Sequence, residues 1–204
     1  MKASHVIIVI SVIAVIAIIF YSATGNDDAE YKVRIQESRK EKDDFMRSGE
    51  GSPFKNSEEK FTGLKYFEPN IKFRIDADLE EIEQKNVVVL QTSDNKEQRY
   101  IDYAYASFSL DGVSCKLKIL EVLDNGPFKG TLFLAFADQS SAIETYGAGR
   151  YLDVKKVPGA KSITLDFNEA YSPYCAYSDS FSCPFPPKEN VLNVLIAAGE
   201  KTYH

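Results

Sequence analysis

The sequence has few of the residues on which most enzyme active sites depend. Among 204 residues it contains two histidines, three cysteines and no tryptophan. His5 lies at the edge of an N-terminal apolar run, and His204 lies at the C-terminal end. Ser-His-Asp and Cys-His catalysis, and the common zinc sites, use histidine or several cysteines. These classes are therefore nearly excluded, and an enzyme with this sequence would depend on carboxylates, tyrosine, lysine, arginine or a thiol.

The sequence also lacks a basic cluster. Its 24 basic and 30 acidic residues give a net charge of −6, whereas nucleic-acid binding depends on neutralising phosphates. The acidic stretch from Asp76 to Glu83 lacks the glycine of a calcium-binding loop, and alternating positions on a solvated face explain most of it. No nucleic-acid partner, no metal site and no cofactor are predicted.

One long apolar run is present near the N-terminus. Val6–Phe20 contains only Val, Ile, Ala, Phe and one Ser, and Lys2 precedes it. Extended from Ala3 to Ala23, the run matches the roughly 20 residues that span a bilayer. The flanking charges favour a domain outside the cytoplasm. Residues 1–25 are predicted to be a single-pass membrane anchor, and the alternative is a signal peptide cleaved near Gly25 that leaves a secreted or periplasmic protein.

The remainder is predicted to be a helix followed by a β domain. Residues 26–51 are highly charged, with Glu30 and Arg34 at helical spacing, which indicates a charged helical stalk. Residues 52–204 contain about eight strand patterns, typical of an antiparallel sandwich or partly open barrel in a mainly β fold. The predicted strands are Ile71–Leu79, Val87–Thr92, Tyr100–Leu110, Val113–Val122, Thr131–Ala137, Gly149–Val154, Ser162–Phe167 and Val191–Ala198.

The strongest local signal in the β domain is Asp111-Gly112. An Asp-Gly pair between two apolar runs is typical of a tight hairpin. A two-residue turn fixes three pairs on one apolar face: Leu110 with Val113, Phe108 with Cys115, and Ala106 with Leu117. The turn and the hydrophobic pattern select the same register, so each supports the other.

A long irregular loop runs from Leu165 to Asn190. It holds two of the three cysteines, four of the eight prolines and three of the twelve tyrosines. Loops of this length are uncommon in compact domains and are usually functional or specially fastened. Cys175 and Cys183 are predicted to form a disulfide, since export places the loop where disulfides persist. The alternative is a reduced pair in a cytosolic domain, and Cys115 is predicted to stay free.

Several longer motifs follow one another toward the C-terminus. They are E-T-Y-G-A-G-R-Y-L-D at 144–153, L-D-F-N-E-A-Y at 165–171, P-Y-C-A-Y-S at 173–178, C-P-F-P-P-K-E-N at 183–190 and A-G-E-K at 198–201. Three earlier motifs accompany them: S-R-K-E-K-D-D-F-M at 38–46, S-P-F at 52–54 and G-L-K-Y-F at 63–67. Over roughly residues 30–204 the chain resembles the shorter members of the prokaryotic domain-of-unknown-function family 1684.

The resemblance implies a bacterial or archaeal protein and no known activity. The chain departs from the family pattern at three positions. Ala142 stands where Gly is usual, Ser172 where Asn is usual, and Val191 where Arg often occurs. A ligand site that used that Asn or Arg would be altered here.

Ten polar residues on two irregular segments, 138–150 and 166–190, are the candidate binding residues. They are Asp138, Glu144, Tyr146, Arg150, Asp166, Asn168, Tyr171, Tyr174, Glu189 and Asn190. Both segments follow apolar strands, and binding residues concentrate on loops held by such scaffolds. Arg150 offers a planar fork for a carboxylate or phosphate. The other role is a structural ion pair with Glu144, Asp166 or Glu189.

Two classes of function follow from these residues. The first is a membrane-tethered envelope domain that binds a small ligand or an envelope partner at the tyrosine, arginine and carboxylate site, with Val6–Phe20 in the membrane. The second is a histidine-independent, glycosidase-like hydrolase with two carboxyl groups about 5–10 Å apart. Its carboxylates would come from Asp138, Glu144, Asp166 and Glu189. Binding is favoured because no nucleophile–base pair can be named.

Overall fold

The structure, a computed structural model, describes residues 27–55, 57 and 60–204. The chain divides into two compact units, Met1–Lys40 and Glu41–His204. One α-helix, α1, covers residues 27–48, where a charged stalk was predicted. In this described part of the chain, no helix is long and apolar enough to cross a membrane. The predicted anchor Val6–Phe20 and the alternative cleavage region near Gly25 lie outside the described residues.

The second unit is built from antiparallel strands. The strands are β1 (Arg74–Glu81), β2 (Val87–Gln91), β3 (Glu97–Leu110), β4 (Val113–Val122), β5 (Leu132–Phe133), β6 (Ala135–Phe136), β7 (Arg150–Tyr151) and β8 (Ser162–Asp166). Six form one sheet in the order β5-β4-β3-β1-β8, with β2 also paired to β3, while β6 and β7 form a second sheet. Short 3-10 helices cover Ile71–Phe73, Phe167–Glu169, Tyr174–Ala176 and Lys188–Asn190. The predicted mainly β, antiparallel fold is confirmed, and over the described residues the strands do not close into a barrel.

The β3–β4 hairpin has the predicted register. Its three predicted pairs are all present: Leu110 with Val113, Phe108 with Cys115, and Ala106 with Leu117. Asp111 and Gly112 have φ angles of 51° and 78°, the left-handed values that a tight hairpin turn requires. Ala106 and Leu117 lie in the main core, but Val113 is 42% exposed. The predicted apolar face is therefore buried along most of the hairpin, with Phe108 half-buried and Val113, beside the turn, exposed.

The predicted strand Thr131–Ala137 is divided in two. Its first part, β5, pairs with β4, and its second part, β6, pairs with β7. The carbonyl of Leu134, between the two parts, accepts a hydrogen bond of 2.9 Å from the backbone N–H of Leu152. The chain therefore passes from one sheet to the other within a single apolar run, which a burial pattern cannot distinguish from one strand.

The segment Val191–Ala198, which was predicted to be a strand, is not one in the structure. Its side chains alternate between exposed and buried as expected, and it makes a parallel bridge between Ala137 and Val191. In the described part of the chain, however, it does not belong to a strand ladder. The Ile196 N–H donates to the Asp138 carboxylate at 3.0 Å, and the Ile196 carbonyl accepts from Arg150 at 3.1 Å. Backbone hydrogen bonds with Ala137 and Gln139 hold its first half, and two buried side chains supply, at Ile196, the hydrogen bonds that a neighbouring strand would supply.

Ala142, one of the departures from the family pattern, lies in a tight turn. Its φ angle is 63°, in the left-handed region where a Cβ atom costs roughly 1–2 kcal/mol. Its N–H donates to the carbonyl of Thr145 at 3.0 Å. Glycine adopts this conformation without that cost, which fits the glycine that the family resemblance implies at this position.

Candidate functional site

Arg150 lies inside the protein and is directed at the protein's own backbone. It is 1% exposed. Its Nη2 atom donates to Asp138 Oδ2 at 3.0 Å and to the Ile196 carbonyl at 3.1 Å. Its Nη1 atom donates to the carbonyls of Ala198 and Glu200. Of the two predicted roles for Arg150, these contacts favour the structural ion pair over contact with an external anion, although its partner is Asp138 and not Glu144, Asp166 or Glu189.

The four carboxylates considered for a hydrolase lie in four different ion pairs. The pairs are Asp138 with Arg150 at 3.0 Å, Glu144 with Lys201 at 3.1 Å, Glu189 with Lys118 at 3.0 Å, and Asp166 with Arg74 at 3.9 Å. The hydrogen bond from Lys118 lowers the pKa of Glu189. A lowered pKa does not suit a general acid, whose proton must be retained near neutral pH. This arrangement gives no support to a glycosidase-like pair.

The two candidate asparagines bind backbone. The Asn168 side chain accepts from the Asn70 N–H at 2.8 Å and donates to the Asn70 carbonyl at 2.9 Å. The Asn190 side chain makes the same two bonds with Lys118 at 2.7 and 2.8 Å, and it also donates to the Ala135 carbonyl at 2.8 Å. Each side-chain amide therefore pairs with both the N–H and the carbonyl of one residue, as a neighbouring strand would. Asn190 in this way connects the long loop to β4.

The two irregular segments of the predicted site meet through their tyrosines. Tyr151 and Tyr171 exchange backbone hydrogen bonds of 2.8 and 3.0 Å. The Tyr146 hydroxyl lies 3.8 Å from the sulfur of Cys175. Tyr146, Tyr171 and Tyr174 are each half-buried. The tyrosines thus keep part of their surface open to solvent, unlike Arg150.

A buried acid–base cluster centred on Glu200 was missed by the sequence reasoning. Glu200 is fully buried; its Oε2 atom accepts from Lys42 Nζ at 3.2 Å, and its Oε1 atom accepts from the Tyr177 hydroxyl. The Lys42 ammonium also lies 4.1 Å from the centre of the Tyr171 ring. The Tyr171 hydroxyl donates to Asp153 Oδ1 at 2.8 Å. We call these five residues the Lys42 cluster.

Burial controls the protonation of the Lys42 cluster. It lowers the pKa of Lys42, while Glu200 and Asp153 act in the opposite direction. Burial raises the pKa of Tyr177 and of Tyr171, and the neighbouring carboxylates Glu200 and Asp153 raise them further. Both phenols therefore stay protonated and act as hydrogen-bond donors.

Each member of the Lys42 cluster comes from a different family motif. The five motifs are those at 38–46, 144–153, 165–171, 173–178 and 198–201, which contribute Lys42, Asp153, Tyr171, Tyr177 and Glu200 in that order. Convergence of separate motifs at one place is the signal that could have identified the cluster from sequence. No single motif contains two of its members.

The predicted disulfide between Cys175 and Cys183 is absent from the structure. Cys175 and Cys183 are neighbours, because the Cys175 N–H donates to the Cys183 sulfur at 3.2 Å. All three cysteines are nevertheless free thiols, and Cys115 is buried in the core. The two thiols are therefore neighbours without a covalent bond between them.

A cleft of about 710 Å³ lies beside the end of β1 and is lined by Glu80, Glu81, Glu83, Tyr105 and Lys161, among others. None of the candidate binding residues lines it. Within the described ranges, no group of three or more histidine, cysteine, aspartate or glutamate side chains is placed to hold a metal ion.

Residues 59–201 match the model of a protein family described as "Protein of unknown function (DUF1684)". The chain belongs to the DUF1684 family. The solution NMR structure of an uncharacterized protein from Haloarcula marismortui is similar, with 38% sequence identity and a TM-score of 0.66. The match covers 88% of the DUF1684 chain described here and 99% of the archaeal chain. No match was found among curated proteins.

The family match includes most of the Lys42 cluster. Asp153, Tyr171, Tyr177 and Glu200 fall within the matched residues, and Lys42 precedes them. Neither the family description nor the archaeal neighbour carries an assigned activity. A function for this DUF1684 protein has therefore to be argued from its own side chains.

Proposed function

We propose that this DUF1684 protein is a membrane-tethered envelope protein whose β domain binds a small hydroxylated ligand at the Lys42 cluster. The observation that carries the proposal is the position of the Lys42 ammonium between the buried Glu200 carboxylate and the Tyr171 ring. A buried ion pair is costly to desolvate and is a weak source of stability. Perturbed, paired ionisable groups of this kind concentrate at functional sites.

The chemistry of the accessible groups suggests the class of ligand. Asp153 is exposed, whereas Lys42 and Tyr171 are half-buried. The cluster thus offers a carboxylate that accepts hydrogen bonds, an ammonium that donates them and an aromatic ring. A hydroxyl group both donates and accepts, so a ligand with several hydroxyls can satisfy both kinds of partner at once.

The cluster is held rigidly by backbone contacts. Glu200 donates its N–H to the Ala170 carbonyl at 2.9 Å, and Lys201 donates to the Lys65 carbonyl at 2.8 Å. Tyr171 is fixed by its backbone pairing with Tyr151. Ligand sites are usually largely pre-formed, with a few precisely placed polar groups, and this arrangement fits that description.

Binding is favoured over hydrolysis for two reasons. The carboxylates considered for a hydrolase lie in four different ion pairs. In the Lys42 cluster, burial raises the pKa of Tyr171 and Tyr177, which makes these phenols poor nucleophiles. The hydrolase is therefore the weaker alternative.

Attachment to the membrane is proposed through Val6–Phe20, with the β domain on the extracytoplasmic side. The support is the apolar composition of this run and its length with the flanking residues, which fits a bilayer span. Cleavage near Gly25 would instead give a secreted or periplasmic protein. A reporter fused after His204 that is active only in the cytoplasm would contradict both versions.

The binding proposal predicts a selective loss in the variant Asp153→Asn. Full-length protein would be screened with monosaccharides, amino sugars and polyols for compounds that raise its Tm. For each compound found, we expect Asp153→Asn to weaken binding about tenfold, because one charge-assisted hydrogen bond contributes roughly 1.5–3 kcal/mol. Isothermal titration calorimetry measures the change.

Asp124→Asn is the matched control. Asp124 accepts hydrogen bonds from Arg99 and does not belong to the Lys42 cluster, so affinity should not change. The proposal fails if no hydroxylated compound stabilises the protein. It also fails if the two variants weaken binding equally.

A further inference from the structure

The two thiols of the long loop are arranged unequally. Cys183 is buried, whereas Cys175 is half-buried and faces solvent in part. The Cys175 N–H donates to the Cys183 sulfur at 3.2 Å, so the Cys183 thiol lies directly beside Cys175. One accessible thiol therefore lies beside one protected thiol.

Both cysteines are held from outside the loop. The Tyr146 hydroxyl lies 3.8 Å from the Cys175 sulfur. Cys183 and Ser93, in the turn between β2 and β3, are joined by two hydrogen bonds. The Ser93 N–H donates to the Cys183 carbonyl at 2.9 Å, and the Cys183 N–H donates to Ser93 Oγ at 3.2 Å. The pair is thus positioned by three separate parts of the chain.

We propose that Cys175 is a nucleophilic thiol that exchanges with small-molecule disulfides, and that Cys183 is its resolving thiol. A small disulfide can approach the half-buried Cys175, and the sulfur of the buried Cys183 beside it can complete the exchange. This differs from a permanent structural crosslink, because the reduced pair is the resting form. The inference does not depend on the ligand proposed for the Lys42 cluster.

The electrostatics of the pair support this assignment. The hydrogen bond from Cys183 lowers the pKa of Cys175 to about 6, with further help from Ser93 and Tyr146. The same contact and burial raise the pKa of Cys183. Burial, together with Cys175, raises the pKa of Tyr146 to about 12. At neutral pH, Cys175 is therefore the thiolate, and Tyr146 remains a protonated donor beside it.

The exchange runs in two balanced steps. The Cys175 thiolate attacks one sulfur of the small disulfide, the S–S bond breaks, and one small thiolate leaves. The Cys183 thiol loses its proton to that leaving thiolate and attacks the Cys175 sulfur of the mixed disulfide. The second small thiolate leaves, and a Cys175–Cys183 bond is formed. Two cysteine thiols are oxidised, and one small disulfide is reduced to two thiols.

The first test is the pH dependence of alkylation in reduced, full-length protein. Iodoacetamide labelling is followed at each cysteine by peptide mass spectrometry. We expect Cys175 to label with a half-maximal rate near pH 6. In Cys183→Ala, which removes the hydrogen-bond donor, the pH of half-maximal labelling should rise toward the pKa of an ordinary thiol, so that labelling at pH 6 falls at least about tenfold. A wild-type half-maximum near that of a free cysteine would overturn the proposal.

The second test adds bis(2-hydroxyethyl) disulfide, an uncharged probe. Wild-type protein should lose two hydrogen atoms in mass, Cys183→Ser should retain the mixed disulfide on Cys175, and Cys175→Ser should not react. The variant Cys115→Ser is the control and should behave as wild type. Reaction first at Cys183, or no reaction below the unfolding transition of the wild-type protein, would contradict the assignment.

Discussion

Replacing Arg150 with Lys is expected to lower the free energy of unfolding by about 3–5 kcal/mol, because two or more buried acceptors lose their donor at roughly 1–3 kcal/mol each. Lysine keeps the positive charge but loses the planar fork. One ammonium cannot donate along the separate directions taken by Asp138 and the carbonyls of Ile196, Ala198 and Glu200. Buried acceptors would then remain without donors, which costs roughly 1–3 kcal/mol for each group.

Urea denaturation measures this change, and Arg99→Lys is the matched control. Arg99 forms an ion pair with Asp124, and its side chain is 61% exposed. Exposed pairs contribute about 0–1 kcal/mol, so the control should differ little from wild type. If Arg150→Lys is as mild as the control, Arg150 does not hold the segment after Val191. If it changes ligand binding and leaves stability unaltered, the anion-contact role is the correct one.

The β3–β4 hairpin could be predicted because its determinants are local. Asp111-Gly112 sets the turn, and the alternation of side chains on both sides sets the same register. Val113 pairs as predicted but is exposed, since the burial of a residue beside the turn depends on how far the core extends. Where two local signals agree, the sequence is enough.

The segment Val191–Ala198 shows why local pattern can mislead. An extended chain whose side chains alternate between core and solvent has a period of two whether or not it pairs with a strand. In this protein Asp138 and Arg150 provide part of its hydrogen bonds. Both residues were recognised as candidate site residues, but nothing in the sequence indicates which backbone atoms they contact.

The Lys42 cluster could not be predicted because it depends on distant contacts. Lys42 and Glu200 are separated by 158 positions. Lys42 falls in a stretch that indicates a charged, solvated helix, and Glu200 follows an apolar run near the C-terminus. The four carboxylates that were predicted from the sequence to form a site instead form separate ion pairs, each with a different lysine or arginine. The sequence therefore identified the loops and one member of the cluster, Tyr171, and missed the group at its centre.

Glu200→Gln is expected to lower the free energy of unfolding by about 3 kcal/mol, the low end of the range for breaking a buried ion pair, because the Lys42 side chain that loses its anion is 27% exposed. Glu200 raises the pKa of Lys42 against the effect of burial. Its removal should therefore lower the pKa of Lys42 further below the value of 10.5 for an ordinary lysine. The loss should be visible by urea denaturation and by titration of the Lys42 ammonium by NMR.

The sign of the pH dependence follows from this shift. Between the lowered pKa of folded Lys42 and the ordinary value of 10.5, the unfolded chain binds a proton that the folded chain has released. Stability therefore rises with pH through this window. In Glu200→Gln this pH window begins at lower pH, because the pKa of folded Lys42 is lower. The loss of unfolding free energy relative to wild type is therefore largest at pH values below the window, and it becomes smaller as pH rises through the window.

Two controls separate this effect from the loss of any carboxylate. Glu144→Gln removes the partner of Lys201, but the Glu144 side chain is 44% exposed, so a change below about 1 kcal/mol is expected. The double variant Glu200→Gln with Lys42→Met should lose less stability than the sum of the single variants, because it leaves no unpaired buried charge. Strictly additive losses, or a Glu200→Gln variant as stable as Glu144→Gln, would mean that Lys42 and Glu200 are not energetically coupled. In that case the Lys42 cluster would lose its basis as a preorganised site.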